Sequence, residues 1–360
     1  MRSLSRREFV KVSATAAAAA ATLPIHAAPT AAPAFSKLNQ WPGRCVVNFN
    51  KGAATAMVAN EKTIGAMVNE SIALLTGKKK TSAAWASLFP KITQTTKIAI
   101  KVNILNNEVP SNPMLVKSIV AGLKQMEIEG KNFPASNIFI YDANNQNSLE
   151  SAGFTAEDFP GITLRHHGRD FKDFGDGSHG NQPYTETMKE CDYLINVPGL
   201  RGHGAAAGRV TLGFKSHYGT YPALYHDAEK MPGYLADMNC TGPVYNKTVL
   251  TVFSAIIGLK QGHGPKGSPD SYETYVKTID PSSTSPNPST IIMSTDPIAA
   301  EFQAIKIMRI RDNEPYTINS LPAYLKGSAG IQGALATTYN IGILDETKMD
   351  IIKVINGEKV

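Results

Sequence analysis

The chain has 360 residues, of which 42% are hydrophobic, 18% charged and 8% aromatic. That apolar content excludes an intrinsically disordered chain, and the lack of a short repeat excludes collagen and coiled coil. The formal charge of +6 comes from 36 Lys and Arg against 30 Asp and Glu, but Arg2, Arg6, Arg7 and Lys11 meet only Glu8 at the start of the chain. Without that segment the balance is 32 to 29, thinly spread, so no nucleic-acid partner is expected.

In chain order, Ser5-Arg6-Arg7-Glu8-Phe9-Val10-Lys11 comes first, followed by an apolar run from Val12 to Ala21. Small-residue sites follow near Ala28 and at Ala32-Pro33-Ala34. A charged start, a short apolar stretch and small residues at the exit form the pattern of a cleavable export signal. The paired arginines with Phe9 and Lys11 resemble the twin-arginine (Tat) signal. The apolar run is about half the ~20 residues that a spanning helix needs, so no stable membrane anchor is expected. The expectation is a signal and cleavage region over 1–34, a linker over 35–45, and export by the Tat translocase to the periplasm or beyond. As the resemblance implies, such substrates cross already folded, often with a cofactor inserted.

Lys78-Lys79-Lys80 follows a helix-like stretch, has no aromatics interleaved, and is expected to be a solvated helix end. Lys97–Val102 reads as a strand, and Asn112-Pro113 opens a helix with Leu115, Ile119, Val120 and Leu123 on one face. Strands follow at Asn137–Tyr141, Ile162–Arg165, Tyr193–Val197, Thr248–Phe253 and Thr290–Met293. Asp296-Pro297 starts another helix, with Ile298, Phe302, Ile305 and Met308 inward. Residues 266–288, rich in Pro, Ser, Lys and Thr, read as a long surface loop. This alternation predicts an α/β fold, a largely parallel sheet with helices on both faces, in one or two lobes. The main domain is expected over 46–310, with 311–360 as a helical and strand extension of it.

Ligands in such folds sit beyond the carboxyl ends of the strands. Three polar ends qualify: Asn103, Asp142 with Asn144 and Asn145, and Asn196. Each also has an ordinary reading, because Asn and Asp favour turns. The stretch from Asn196 to His226 is denser, with Arg201, His203, Arg209, Lys215, His217 and His226 among glycines and alanines. Glycines let backbone approach a ligand, and imidazoles with cations suit an anionic substrate or a divalent metal. Lys215, His217 and His203 are therefore the candidate catalytic residues, Lys215 as an anion contact or, if burial lowers its pKa, as a base. Arg201, Asn103, Asp142 and Asn196 are the candidate substrate-binding residues. His203, His217 and His226 are the candidate ligands of a divalent metal. The competing reading is a glycine-rich connection carrying exposed polar groups.

Other templates fail. Cys45, Cys191 and Cys240 have no C-x-x-C spacing, so no iron–sulfur cluster is expected, and at most one disulfide. Gly262-His263-Gly264-Pro265-Lys266-Gly267 matches a dinucleotide fingerprint but runs into Ser268-Pro269-Asp270 rather than a helix, so NAD is not expected. His166-His167 ends a strand, where only one imidazole can face inward.

Several of these segments together carry a resemblance. Ile100-Lys101-Val102-Asn103, Asp192 to Pro198, Arg201-Gly202-His203, Val210 to Gly219 and Ser294 to Ala300 resemble the DUF362 family across roughly residues 45–310. Some members of that family carry an added ferredoxin-like segment with clustered cysteines, which is not expected in this chain. The expected function is an exported enzyme, dependent on a metal or another cofactor and acting on a small anionic substrate. The alternatives are a non-catalytic binding protein for an anionic molecule or cofactor, and an accessory factor for exported redox enzymes.

Overall fold

The computed structural model describes residues 38–143, 147–176, 182–204, 208–259, 271–328, 333–334 and 339–360. The expected signal, Asn144, Asn145 and the His263 loop lie outside the described residues.

Among the described residues eleven strands form one sheet: β1 (Arg44–Phe49), β2 (Ile98–Val102), β3 (Ile138–Asp142), β4 (Thr163–His166), β5 (Tyr193–Val197), β6 (Gly199–Gly202), β7 (Val210–Thr211), β8 (Thr248–Leu259), β9 (Thr290–Ser294), β10 (Asp350–Ile355) and β11 (Glu358–Lys359). Their order is β11-β10-β1-β9-β8-β5-β2-β3-β4, with β6 pairing to β8 and β7. β9 runs against both its neighbours, and β11 and β7 also pair antiparallel, while the remaining ladders are parallel. The largely parallel α/β architecture is therefore present.

Strand alternation divides the core between the two faces. Ile98, Ile100, Val102, Ile138, Ile140, Ile195 and Val197 join helices α1 (Glu61–Thr76) and α2 (Pro113–Lys124) on one side. Ala99, Phe139, Tyr141 and Leu194 join α4 (Met231–Cys240) and α5 (Pro297–Arg311) on the other, where the one-turn helix α3 (Gly213–Ser216) also lies. Local chemistry sets the ends. Asn112 Oδ1 accepts from Met114 N at 2.9 Å ahead of Pro113, and Asp296 Oδ1 accepts from Ile298 N and Ala299 N ahead of Pro297. Gly77 closes α1 at φ 70°, leaving Lys78, Lys79 and Lys80 exposed just past the helix end.

Some segments differ from the sequence expectation. β8 continues past Phe253 to Leu259, kept in the sheet by β6 after β5 breaks at Pro198. The stretch read as a surface loop contains the helix Glu273–Lys277, anchored by buried Tyr275 and Val276. β1 starts at Arg44, inside the expected linker, and pairs with β10 from the carboxyl-terminal extension. All three cysteines are free and buried. Among the described residues no helix is long and apolar enough to cross a membrane.

Candidate functional site

The parallel register of β2, β3 and β5 brings their carboxyl ends to one edge, with Lys101 beside Tyr141 on one side and Asn196 on the other. Asp142, the last residue of β3, accepts from Ile104 N at 2.9 Å and from Ala143 N at 2.7 Å. Its Oδ1 lies 3.3 Å from Lys101 Nζ, which also donates to Val102 O at 2.6 Å. Lys101 is 1% and Asp142 3% exposed, so this is a buried ion pair. Burial lowers the Lys101 pKa, Asp142 pulls it back up, and Arg201 lowers it further. Two desolvated charges at the carboxyl ends of parallel strands make a candidate functional site.

Arg201, expected to hold substrate, is turned inward and 1% exposed. Its Nη2 donates to Asn103 O at 3.2 Å and Val109 O at 2.6 Å, so the guanidinium braces the β2 loop. Burial pushes its pKa down to about 10, against the pull of Asp142. Asn103 shapes the same loop: its N–H donates to Ser111 Oγ and its Oδ1 accepts from Leu105 N. Asn196 is buried in the sheet face and donates to Gly213 O at 3.0 Å.

The segment after β7 carries the densest chemistry. Leu212 and Phe214 anchor it in the core, and the turn of α3 lifts Lys215 toward the loop that follows β6. Lys215 Nζ meets His203 Nε2 at 2.5 Å and lies 5.5 Å from the centre of the Tyr218 ring. Burial pushes the Lys215 pKa down to about 7. His226, which is exposed, stacks on His203 at 6.2 Å and meets the edge of Tyr218 at 5.2 Å. His217 turns inward instead, hydrogen-bonded through Nδ1 to Thr220 Oγ1 at 3.2 Å. Burial, with help from Lys101, pushes its pKa down to about 3, so it stays neutral. Gly219 lies flat against the ion pair, where a Cβ would strike Asp142 Oδ1 and sit 2.6 Å from Lys101 Nζ. The glycine thus lets the Lys215 segment close over Lys101 and Asp142.

Two charged groups here escaped the sequence reading. Lys101 lay in a strand whose other residues looked like core, and only its inward register exposes its role. Glu301 projects from the buried side of α5, accepts from Gly213 N at 2.8 Å and Tyr324 OH at 2.8 Å, and so fixes the start of α3. Burial pushes its pKa up to about 7. Conversely, Asp296 caps α5 and also accepts from Gly43 N and Ile343 N, at the sheet edge opposite the mouth, as we call the edge where β2, β3 and β5 end. His166 is exposed, whereas half-buried His167 bonds Thr187. Among the described residues no three His, Cys, Asp or Glu side chains are grouped so that they could hold a metal ion. His203 and His226 stand together, and His217 faces Thr220.

The molecule is thus an α/β protein with a buried Lys–Asp pair and a lysine–imidazole contact at the carboxyl ends of its parallel strands. It belongs to the DUF362 family, whose model, described as a domain of unknown function, matches residues 98–306, from β2 into α5. No curated protein and no solved structure matched the chain significantly.

Proposed function

We propose that the protein is an exported, periplasmic enzyme acting on a small anionic substrate, with the amine of Lys215 as its working group and His203 as the partner that holds it. The observation that carries this reading is the 2.5 Å contact between Lys215 Nζ and His203 Nε2, made by a lysine that has no carboxylate beside it among the described residues. Two fully protonated groups offer no acceptor to each other, so at least one is neutral, and burial favours the free amine. With a pKa of about 7, much of the amine is unprotonated at neutral pH. Such an amine takes a proton from a carbon acid, or adds to a carbonyl with release of water. Two buried cations, Lys101 and Arg201, stand against the single carboxylate of Asp142, a positive excess that favours an anion. Export rests on the Arg6-Arg7 segment alone.

Borohydride trapping with a panel of small 2-oxo acids tests the chemistry. The expected result is a mass gain on the peptide bearing Lys215 in the natural protein and none in Lys215→Arg. Saturable binding of the same anions without adduct or turnover would make this a binding protein, and no binding at all would refute the reading. Export is tested apart from this: Arg6→Lys with Arg7→Lys should retain the protein in the cytoplasm.

A further inference from the structure

Behind the mouth lies a second space, lined by polar and apolar side chains together. Register aligns Lys101 of β2 with Asn196 of β5, Asn196 with Thr251 of β8, and Thr251 with Ser294 of β9, all four buried. A polar row across the interior of a sheet is costly unless each group finds a partner. Asn196 and Thr251 of this row border a slot of about 30 Å³ between the sheet, α3, α4 and α5. Its inner end is lined by Asn196, His217 and Glu301, and its outer end by half-buried Tyr245, Thr248 and Pro297. Thr248 opens β8, and Pro297 follows the reversed strand β9, so the outer end lies at the sheet edge opposite the mouth.

Asn196 spends its Nδ2 on Gly213 O, but its Oδ1 is buried with no hydrogen-bond partner. A buried amide oxygen without a donor, in a slot that His217, Asn239 and Glu301 also line, is a place for water. A water needs ~10–15 Å³ of such space, so the slot takes roughly two. The titratable side chains lining it are Glu301, His217 and Tyr245, and Tyr324 reaches Glu301 from the Ala323–Lys326 helix. Among the described residues no Lys or Arg lines the slot. From its inner end a chain of bonds continues from His217 to Thr220 Oγ1 and on to Tyr141 OH at 2.8 Å, on the strand that ends in Asp142.

We propose that the slot is a water-filled passage through which the Glu301 carboxyl exchanges protons with solvent at the edge of the sheet opposite the mouth. It ends against His217, whose bonds lead on to Tyr141 beside the candidate site. This inference does not rest on the chemistry assigned to Lys215.

The test is infrared spectroscopy of the protonated carboxyl band at mildly acidic pH after transfer from H2O to D2O. Glu301→Gln identifies the band by removing it. The expected result is deuterium exchange far faster than that of the buried amides, unchanged in Lys215→Met. Thr248→Phe, which fills the outer end, should slow the exchange by roughly tenfold or more, because a sealed slot waits for local opening. Exchange no faster than the core amides, or a rate unaffected by Thr248→Phe, overturns the proposal. Should Thr248→Phe fail to fold, a high-resolution crystal structure of the unaltered protein decides: a water bonded to Asn196 Oδ1 supports the passage, and a dry slot refutes it.

Discussion

Lys215→Met asks whether the fold holds its amine at the expense of stability. An open chain keeps the lysine proton up to 10.5, whereas the folded chain releases it at about 7. At ~1.4 kcal/mol per pH unit, this gap means that about 4 kcal/mol of stability is forgone at pH 7. Lys215 is 6% exposed, so solvent screening reduces that ceiling little. Against the gain, the variant loses the His203 hydrogen bond, ~1 kcal/mol, while methionine occupies nearly the same volume. The expected net effect is a protein ~2–3 kcal/mol more stable at neutral pH. The folded pKa lies below the unfolded one, so the unfolded chain binds more protons between about 7 and 10.5. Stability of the natural protein therefore rises with pH through that window, and the advantage of the variant fades toward its upper end. Urea unfolding of both proteins at about pH 7 and about pH 10, with an unchanged m-value, reads the difference from the midpoints. A variant less stable at pH 7, or an equal difference at both pH values, would refute burial as the cause of the shift.

Three further outcomes follow from the same geometry. Lys101→Met leaves the Asp142 carboxylate buried without its cation, a change that costs ~3–5 kcal/mol in comparable pairs; its two main-chain donors hold the loss near the lower figure, read as a drop in the urea midpoint, and a loss below about 1 kcal/mol would show the pair to be solvated. Gly219→Ala forces the Lys215 segment off the ion pair and should cost ~1–3 kcal/mol by overpacking, with loss of borohydride trapping even though Lys215 remains. The Glu301 carboxyl is raised from 4.5 to about 7 in the folded chain, which therefore binds more protons than the unfolded chain between those values. Stability of the natural protein should fall as pH rises through that window, and a series of urea midpoints on Glu301→Gln should lack that slope.

Where an element declares itself locally, the sequence shows it. β5 is legible at both ends because an apolar run stops at Pro198, and α2 and α5 are legible through the caps Asn112-Pro113 and Asp296-Pro297. β1 is not, since its six residues become a strand through pairing with β9 and β10, far along the chain. The same division holds in the site. Lys215 and His203 stand out as a cation and an imidazole among glycines, and the structure brings their side chains into contact. Arg201 looks equally available, yet it turns inward onto two carbonyls that only the folded β2 loop presents. Lys101 and Glu301 sit within regular apolar patterns. Their roles come from what faces them, Asp142 across one strand spacing and the amide of Gly213 from a different helix, and no local pattern encodes that.

The pairing of β1 with β10 also sets a timetable. Arg44 and Asp350 are 306 positions apart, yet they are register partners and share an ion pair at 2.6 Å. A chain emerging from the ribosome can assemble β2, β3, β4 and β5 early, but β1 has an open flank until residue 355 has been made. Closing so distant a contact is slow, and an unpaired strand edge invites association with other chains. A chain cut short before Asp350 would leave the candidate site intact in sequence, but with a bare sheet edge that recruits its neighbours.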